Sequence, residues 1–208
     1  MLTQHAAKAG AAASLQVSPY YNRPTQKGLY EHFKAIAESV DIPIMLYNIA
    51  SRTGVNIEPE TIAKLARDCK NIVAVKEASG NLEQMSRIKL LCGDNFDLLS
   101  GDDALTLPVL SIGGTGIVSV VANIVPRDVA EMVSEFQKGN AARARQIHYR
   151  LLPLIKAIFI ETNPIPVKTA MGILGMCGPD LRLPLSTMLP ENTEKLKAAL
   201  KEYGLGRK

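Results

Sequence analysis

The segment NIVAVKEASG, residues Asn71–Gly80, contains an apolar run that ends directly in a lysine. Four apolar residues, Ile72 to Val75, precede Lys76, and a turn of small residues follows. A short apolar run bounded by turn residues is typical of a buried strand in a parallel sheet. Lysine is rarely buried unless it is paired or its charge is suppressed. The segment therefore predicts either a lysine that leaves the sheet edge for solvent or a desolvated amine that condenses with a carbonyl compound.

The same strand pattern recurs along the first part of the chain, with helical patterns between the strands. Strands that alternate with helices of about ten residues indicate βαβ units and a parallel sheet. An open doubly wound sheet and a (β/α)₈ barrel both fit five such units. The predicted strands cover Ser14–Ser18, Ile42–Tyr47, Ile72–Lys76, Phe96–Ser100 and Gly116–Val120.

No GxGxxG fingerprint of a dinucleotide-binding sheet follows the first predicted strand. The nearest pattern, Gly113–Gly116, precedes a strand instead of opening a helix, which favours a tight turn over a phosphate cradle.

After Val120 the pattern changes to consecutive helices. We therefore predict an α/β domain over residues 1–123 and a helical C-terminal region over residues 124–208, both in one structural unit. The predicted helices of the second part cover Pro126–Lys138, Ala141–Phe159, Pro164–Leu174 and Pro190–Tyr203.

Composition argues against several classes of function. The chain has 208 residues and a net charge of only +4, spread along its length, which does not favour nucleic-acid binding. No apolar run approaches the ~20 residues of a membrane span, and the N-terminus has no signal-peptide core, so we expect a cytoplasmic protein. Three cysteines without CxxC spacing indicate a reducing compartment and thiols that serve as packing residues. The three histidines show no ligand spacing, so we expect no metal site.

Polar side chains concentrate where the predicted strands end, which is the rim that carries the site in parallel α/β folds. Alternation along the strand puts Ile72, Ala74 and Lys76 on one face. If that face points inward, desolvation lowers the pKa of Lys76 and leaves a neutral amine for Schiff-base formation. Tyr47, at the end of the neighbouring strand, suits proton transfer, and the planar fork of Arg52 suits a substrate carboxylate.

Each of these residues also has an ordinary structural interpretation. Lys76 could be solvent-exposed, the tyrosines could be packing residues with satisfied hydroxyls, and Arg52 could form a surface ion pair. Asp102 and Asp103 are interpreted as caps of the following helix.

Six segments taken together resemble the 4-hydroxy-tetrahydrodipicolinate synthase family, formerly called the dihydrodipicolinate synthases. A related branch, the N-acetylneuraminate lyases, shares the barrel and the lysine within the class I aldolase superfamily, but the YYNRPTQ loop and the arginine of SRTG are similar to the synthase branch. The segments are SPYYNRPTQKGLYEHF (Ser18–Phe33), IPIMLYNIASRTG (Ile42–Gly54), IVAVKEASGN (Ile72–Asn81), LLSGDD (Leu98–Asp103), GGTGIVSVVAN (Gly113–Asn123) and NPIPVK (Asn163–Lys168).

The resemblance implies a (β/α)₈ TIM barrel with a C-terminal helical region, assembled as a homotetramer that is a dimer of dimers. It implies a lyase that condenses pyruvate with L-aspartate 4-semialdehyde in lysine (diaminopimelate) biosynthesis. It also implies that catalysis needs no organic cofactor and no catalytic metal, because the carbonyl is activated as a covalent imine with lysine.

The resemblance also assigns roles to individual residues. Lys76 forms the imine with pyruvate, Tyr47 transfers protons, and Tyr21 is inserted into the site of a neighbouring subunit. Arg52 holds the carboxylate of the semialdehyde. The remaining matches are Gly101 and Val118, which line the pyruvate pocket, and Tyr20, at a dimer interface where lysine inhibits some members.

The sequence departs from the family pattern in its first part. Five strands are predicted where the barrel needs eight, and Leu2–Ala9 looks like the helix after the third strand, so we expect an N-terminally truncated chain. The Gly-Thr-Thr-Gly-Glu segment, whose threonine bridges the two tyrosines, is absent. Ala12 stands where the family has Asp, and Ala50 where it has Pro.

Two alternative functions stay open at this stage. One is another pyruvate-dependent aldolase of the same fold, such as a sialic acid or keto-deoxy-sugar lyase, against which Arg52 argues. The other is a catalytically incompetent partial barrel with an assembly role, which the absent threonine segment favours.

Overall fold

The computed structural model describes residues 1–206, and its internal contacts divide the chain into two compact units. The first unit covers Met1–Val118, and the second begins at Ser119. The boundary predicted from the sequence, between residues 123 and 124, lies five residues later. The prediction that both parts belong to one structural unit stays a prediction.

The first unit contains a sheet of five parallel strands in the order β1-β2-β3-β4-β5. Five strands connected by helices confirm the predicted βα repeat. The fifth strand is shorter than predicted, because the chain turns into a 3-10 segment soon after Ile117. The strands are β1 (Ser14–Val17), β2 (Ile44–Asn48), β3 (Ile72–Glu77), β4 (Asp97–Ser100) and β5 (Gly116–Ile117).

Helices precede or follow each strand of this unit. The side chain of Thr25 caps one of them, α2, by accepting a hydrogen bond from the Gly28 N–H, and Asn81 caps α5 in the same way through the Gln84 N–H. The helices are α1 (Leu2–Lys8), α2 (Gln26–Ala37), α3 (Ala50–Thr53), α4 (Pro59–Asp68), α5 (Leu82–Cys92) and α6 (Thr106–Ser111). The short helix α3 was not predicted, because four residues are too few to show a helical period. Ala50 is its first residue, where a proline would also fit.

The core of the first unit lies between one face of the sheet and the helices. Leu46, Val75 and Leu98, from three successive strands, are completely buried in it, together with Phe33 of α2 and Leu65 of α4. The opposite face is more open, since Leu15 and Val17 on β1 are 47% and 42% exposed.

A β-bulge at Val73 interrupts the alternation of β3. Ile44 pairs with Ile72, but the next residue, Met45, pairs with Ala74, so Val73 has no partner on β2. Ile72 therefore packs with Val75 in the core cluster. The prediction that Ile72 shares a face with Ala74 and Lys76 was wrong, because a bulge reverses the alternation on one side of it.

The turn at Gly113–Gly116 is a structural turn between α6 and β5, as the sequence favoured. The Gly114 N–H donates to the Val109 carbonyl at 2.9 Å, and a Cβ at Gly114 would lie 2.5 Å from a side-chain atom of Val109. The close approach of the two backbone segments therefore requires glycine.

The second unit is helical. The Tyr203 hydroxyl donates to the Asp128 carboxylate at 2.6 Å, and the Arg150 guanidinium lies 4.6 Å from the Tyr203 ring centroid. These contacts join the first, second and last helices of the unit. The helices are α7 (Pro126–Gln137), α8 (Ala141–Ile158), α9 (Ile165–Ile173) and α10 (Pro190–Tyr203).

The structure tests two expectations from composition, the burial of the cysteines and the absence of a membrane-spanning helix. Cys69 is buried and Cys92 half-buried, as expected of packing residues, but Cys177 is exposed, so the expectation was wrong for that thiol. Among residues 1–206, no helix is both long and apolar enough to cross a membrane.

Candidate active site

The lysine of the opening segment lies beside a tyrosine at the carboxyl end of the sheet. Tyr47 and Lys76 are register partners on β2 and β3. The Lys76 Nζ lies 3.9 Å from the centroid of the Tyr47 ring, and both side chains are partly buried. The structure therefore brings together two of the predicted catalytic residues.

Burial dominates the electrostatics of this pair. Desolvation lowers the pKa of Lys76, the negative charge of Asp103 acts in the opposite direction, and the positive charge of Arg52 adds to the lowering. Desolvation raises the pKa of Tyr47, and the charge of Arg52 partly offsets that rise. Both shifts act toward the uncharged form of the group, the amine of Lys76 and the phenol of Tyr47, and these forms are the ones required for amine attack and proton donation.

Gly101 and Val118 directly follow β4 and β5, and Gly101 lies next to Lys76. The Gly101 N–H donates to the Glu77 carbonyl at 2.7 Å, and the Val118 N–H donates to the Ser100 carbonyl at 2.9 Å. A Cβ at Gly101 would lie 2.6 Å from Ala78 Cβ and 3.2 Å from Lys76 Cε. The backbone at Gly101 therefore runs too close to Ala78 to admit a side chain, and it also approaches the lysine stem.

Arg52 lies on α3, directly after β2. Its side chain is exposed, and its charge affects the pKa of both Lys76 and Tyr47. Gly54, in the left-handed conformation with φ 75°, ends this helix, and a Cβ there would meet the Arg23 side chain at 3.0 Å. The SRTG segment is thus packed against the loop that follows β1.

Tyr20 and Tyr21 lie outside the lysine–tyrosine cluster. They are 71% and 90% exposed in the loop that follows β1. Tyr21 and Arg23 both adopt positive φ angles, 69° and 47°, which is uncommon for residues with a side chain. This loop presents its two aromatic rings to the outside of the chain.

Asp102 and Asp103 differ in role. Asp102 accepts a hydrogen bond from the Ala104 N–H at 2.9 Å and caps the 3-10 turn before α6, as predicted. Asp103 is 2% exposed, and its charge acts on Lys76. Asp103 lies inside the 3-10 turn that Asp102 caps, and the prediction that Asp103 also acts as a cap stays a prediction.

Sequence reasoning missed a buried carboxylate directly behind the cluster. Glu77 follows Lys76, and Asn48 follows Tyr47; both are completely buried, and they are register partners. Glu77 Oε2 accepts hydrogen bonds from Asn48 Nδ2 at 2.9 Å and from Gln84 Nε2 at 3.0 Å, and Glu77 Oε1 accepts one from the Ser79 N–H at 2.7 Å. The signal in the sequence was a glutamate that alternation turns toward the helices, where a carboxylate requires partners.

Within residues 1–206, no group of three or more His, Cys, Asp or Glu side chains is arranged to hold a metal ion. The expectation that catalysis needs no organic cofactor stays a prediction.

Comparison with known proteins points to one family. A model described as the dihydrodipicolinate synthetase family matches residues 1–203. A 4-hydroxy-tetrahydrodipicolinate synthase from Endomicrobium trichonymphae is 60% identical over 203 residues, which cover 98% of this chain and 69% of that protein.

Solved structures give the same result. The dihydrodipicolinate synthase of Aquifex aeolicus has a TM-score of 0.98 and 54% identity, covering 100% of this chain and 71% of that one. The chloride-inhibited dihydrodipicolinate synthase of Acinetobacter baumannii, solved in complex with pyruvate, has a TM-score of 0.95 and 38% identity, covering 98% and 70%. The fold is therefore the α/β barrel fold of these relatives, to which residues 1–206 contribute five parallel strands.

Proposed function

The chain belongs to the dihydrodipicolinate synthetase family, and on that premise we propose that it is a lyase that condenses pyruvate with L-aspartate 4-semialdehyde. The product is 4-hydroxy-tetrahydrodipicolinate, in the diaminopimelate route to lysine. The observation that carries the proposal is the half-buried Lys76 amine 3.9 Å from the ring of Tyr47 at neighbouring strand ends. The exposed Lys64 also lies over an aromatic ring, 3.7 Å from the Tyr30 centroid. Its hydrogen bond with Asp68 raises its pKa, however, whereas burial lowers the pKa of Lys76.

The first stage is imine formation. The neutral Lys76 nitrogen bonds to the keto carbon of pyruvate, and one of its protons passes through the Tyr47 hydroxyl to the carbonyl oxygen. The second proton of the nitrogen then passes to the same oxygen, which leaves as water and gives the imine. The lowered pKa of Lys76 supports this step, because only the unprotonated amine can attack.

The second stage forms the carbon–carbon bond. Loss of a proton from the pyruvate methyl group converts the imine to an enamine, whose carbon bonds to the aldehyde carbon while the aldehyde oxygen takes up a proton. The amino group of the semialdehyde then attacks the imine carbon, closes the ring and releases Lys76 as a free amine. One water is lost overall, in agreement with a condensation.

The remaining residues take supporting roles in this proposal. Arg52 binds the carboxylate of the semialdehyde, and its exposed position at the end of α3 suits a substrate that arrives from solvent. Gly101 and Val118 line the pyruvate site, where the missing Cβ at Gly101 leaves room beside the lysine stem.

Tyr21, 90% exposed, completes the site of a neighbouring copy in a homo-oligomer, and Tyr20 lies at the same interface, where lysine binds as an effector.

The test is intact mass spectrometry of the chain after incubation with pyruvate and borohydride, with peptide mapping of the adduct. We expect one reduced adduct on Lys76 and none in Lys76→Ala. Lys27→Ala, which removes an exposed lysine of the same unit, is the matched control and should keep the adduct.

Two further variants separate capture from turnover. Tyr47→Phe should retain the adduct while turnover falls by about 10²–10⁴-fold, the usual contribution of a positioned proton carrier. Arg52→Ala should retain the adduct and mainly raise KM for the semialdehyde. An adduct that persists in Lys76→Ala contradicts the site. Absence of any adduct from the folded wild-type chain contradicts the enzymatic proposal and favours a partial barrel with an assembly role.

A further inference from the structure

We propose that Glu77 is a positioning residue: its buried carboxylate fixes the ends of β2 and β3 through a directional hydrogen-bond network and thereby holds Lys76 against Tyr47. The inference rests on the proposed function only in taking Lys76 as the nucleophile. It concerns residues to which the family resemblance gave no role.

The first argument is the chemistry of the three contacts to the carboxylate. The Asn48 amide, the Gln84 amide and the Ser79 backbone all present N–H groups to it. An ionised carboxylate accepts at both oxygens and donates at neither, so it satisfies all three. A glutamine at position 77 would place an NH₂ group against at least one N–H donor, which leaves buried donors facing each other.

The second argument is that the charge orients the amides beyond its own contacts. Asn48 accepts the Ile57 N–H at 3.0 Å through Oδ1, so its Nδ2 faces Glu77 and also reaches Asn56 Oδ1 at 2.8 Å. Asn56 in turn exchanges two hydrogen bonds with the Gln84 amide, at 2.8 and 3.1 Å. The Glu77 carboxylate, which only accepts, lies at one end of this hydrogen-bond network, and the Ile57 N–H, which only donates, lies at the other. Each side-chain amide between them therefore has one permitted orientation.

The third argument is the position of the network relative to the cluster. Register pairs Tyr47 with Lys76 and the next residues, Asn48 with Glu77. Successive residues of a strand point to opposite faces of the sheet. The hydrogen-bond network therefore joins the two strand ends on the face opposite Lys76 and Tyr47. Gln84 connects the network to the start of α5. Asn56 connects it to the loop after α3, the helix on which Arg52 lies.

A role in stability alone would make the same contacts, so the test needs a property of Lys76 itself. We would measure the pH dependence of Lys76 labelling by acetic anhydride, read by peptide mass spectrometry with exposed Lys27 as internal reference. No pyruvate is needed for this measurement. In the same variants we would measure the rate of pyruvate capture under borohydride.

In Glu77→Gln, the labelling midpoint of Lys76 should rise toward that of Lys27, because a strand end that is no longer fixed lets the ammonium reach water. The capture rate should fall by about 10- to 100-fold, the cost of a small misplacement of a reacting group. Glu77→Asp, which keeps an acceptor-only group, should restore part of both properties. Glu83→Gln, the same charge change one residue from Gln84 on an exposed position, should alter neither.

Gln84→Met is the second variant, because it leaves the carboxylate with two donors if Glu77→Gln does not fold. In Gln84→Met the labelling midpoint of Lys76 should rise and the capture rate should fall, each by less than in Glu77→Gln. The proposal is overturned if folded Glu77→Gln, or folded Gln84→Met where the former does not fold, keeps the wild-type labelling midpoint and capture rate. If the wild-type chain captures no pyruvate, the proposed function fails, and the labelling experiment still decides the role of Glu77.

Discussion

At the scale of the residue, the reactivity of Lys76 is a balance between burial and two charges of opposite sign. Burial lowers its pKa, Asp103 raises it, and Arg52 lowers it further. Asp103 is itself buried, so its charge is poorly screened by water. The Asp103 carboxylate therefore contributes to the polarity around the Lys76 amine.

Replacement of Asp103 should change the pH dependence of the lysine. In Asp103→Asn the opposing negative charge is lost, so the pKa of Lys76 falls further and the neutral amine is present at lower pH. The rate of pyruvate capture, measured by borohydride trapping across pH, should reach its midpoint at a lower pH than in the wild-type chain. Asp97→Asn, at the opposite end of β4, is the matched control and should leave the midpoint unchanged. A midpoint that moves upward in Asp103→Asn would refute this balance.

Part of the site could be predicted from sequence because it depends on strand ends. Tyr47 and Lys76 lie near the ends of neighbouring strands, and parallel strands bring such residues together. Gly101 and Val118 were predicted from the family resemblance. The burial of Asp103 could not be predicted, because its sequence position suits a capping residue equally well. The Glu77 network was missed since it joins residues far apart in sequence through amides that carry no motif.

At the scale of the element, boundaries depend on local hydrogen bonds at helix starts. Helix α2 begins at Gln26, where the Thr25 hydroxyl accepts a hydrogen bond from the Gly28 N–H at 3.2 Å. Helix α10 matched its prediction, Pro190–Tyr203, because a proline opens it and Gly204 in the left-handed conformation ends it.

The Thr25 cap should have a measurable effect on stability. Thr25→Ala should lower the free energy of unfolding by about 1 kcal/mol, since one N–H at the start of α2 loses its side-chain partner. Thr25→Ser keeps the hydroxyl and serves as the control, with a stability close to that of the wild type. Urea unfolding followed by circular dichroism would measure both. Equal losses in the two variants would show that the methyl group, and not the hydrogen bond, matters.

The parallel direction of the strands followed from the alternating strand and helix patterns. Their sequential order followed only from the family resemblance, because a doubly wound sheet fitted the same pattern. The bulge at Val73 could not be predicted from the sequence, since Ile72, Val73 and Ala74 are all apolar and each fits either face of the sheet. The short helix α3 was equally invisible to periodicity.

At the scale of the whole molecule, the five-stranded sheet described within residues 1–206 has two edges, at β1 and at β5. Strand β1 pairs with β2 on one side, and Leu15 and Val17 on it are 47% and 42% exposed. An exposed apolar edge strand is a template for pairing with another chain. The chain spans 69% of its relative from Endomicrobium trichonymphae, and residues 1–206 contain five parallel strands, whereas a TIM barrel has eight.

Self-association through this edge should respond to a charge placed on it. Leu15→Glu should reduce the fraction of associated chain in sedimentation velocity at micromolar concentration, because the carboxylate would have to be buried on pairing. Leu90→Glu on α5, where the leucine is 82% exposed, makes the same change away from the edge and should have no effect. If both variants dissociate equally, net charge and not the edge controls association.

The bulge at Val73 bears on how the length of β3 can vary during evolution. Because Val73 is the residue without a partner, its deletion would leave Ile72 and Val75 toward the helices and Lys76 on its present side, in a regular strand. A residue can thus be gained or lost at this point without rotating the nucleophile out of its site. The same change between Val75 and Lys76 would exchange the two faces, so tolerance to insertion and deletion should end abruptly within a few residues of the same strand.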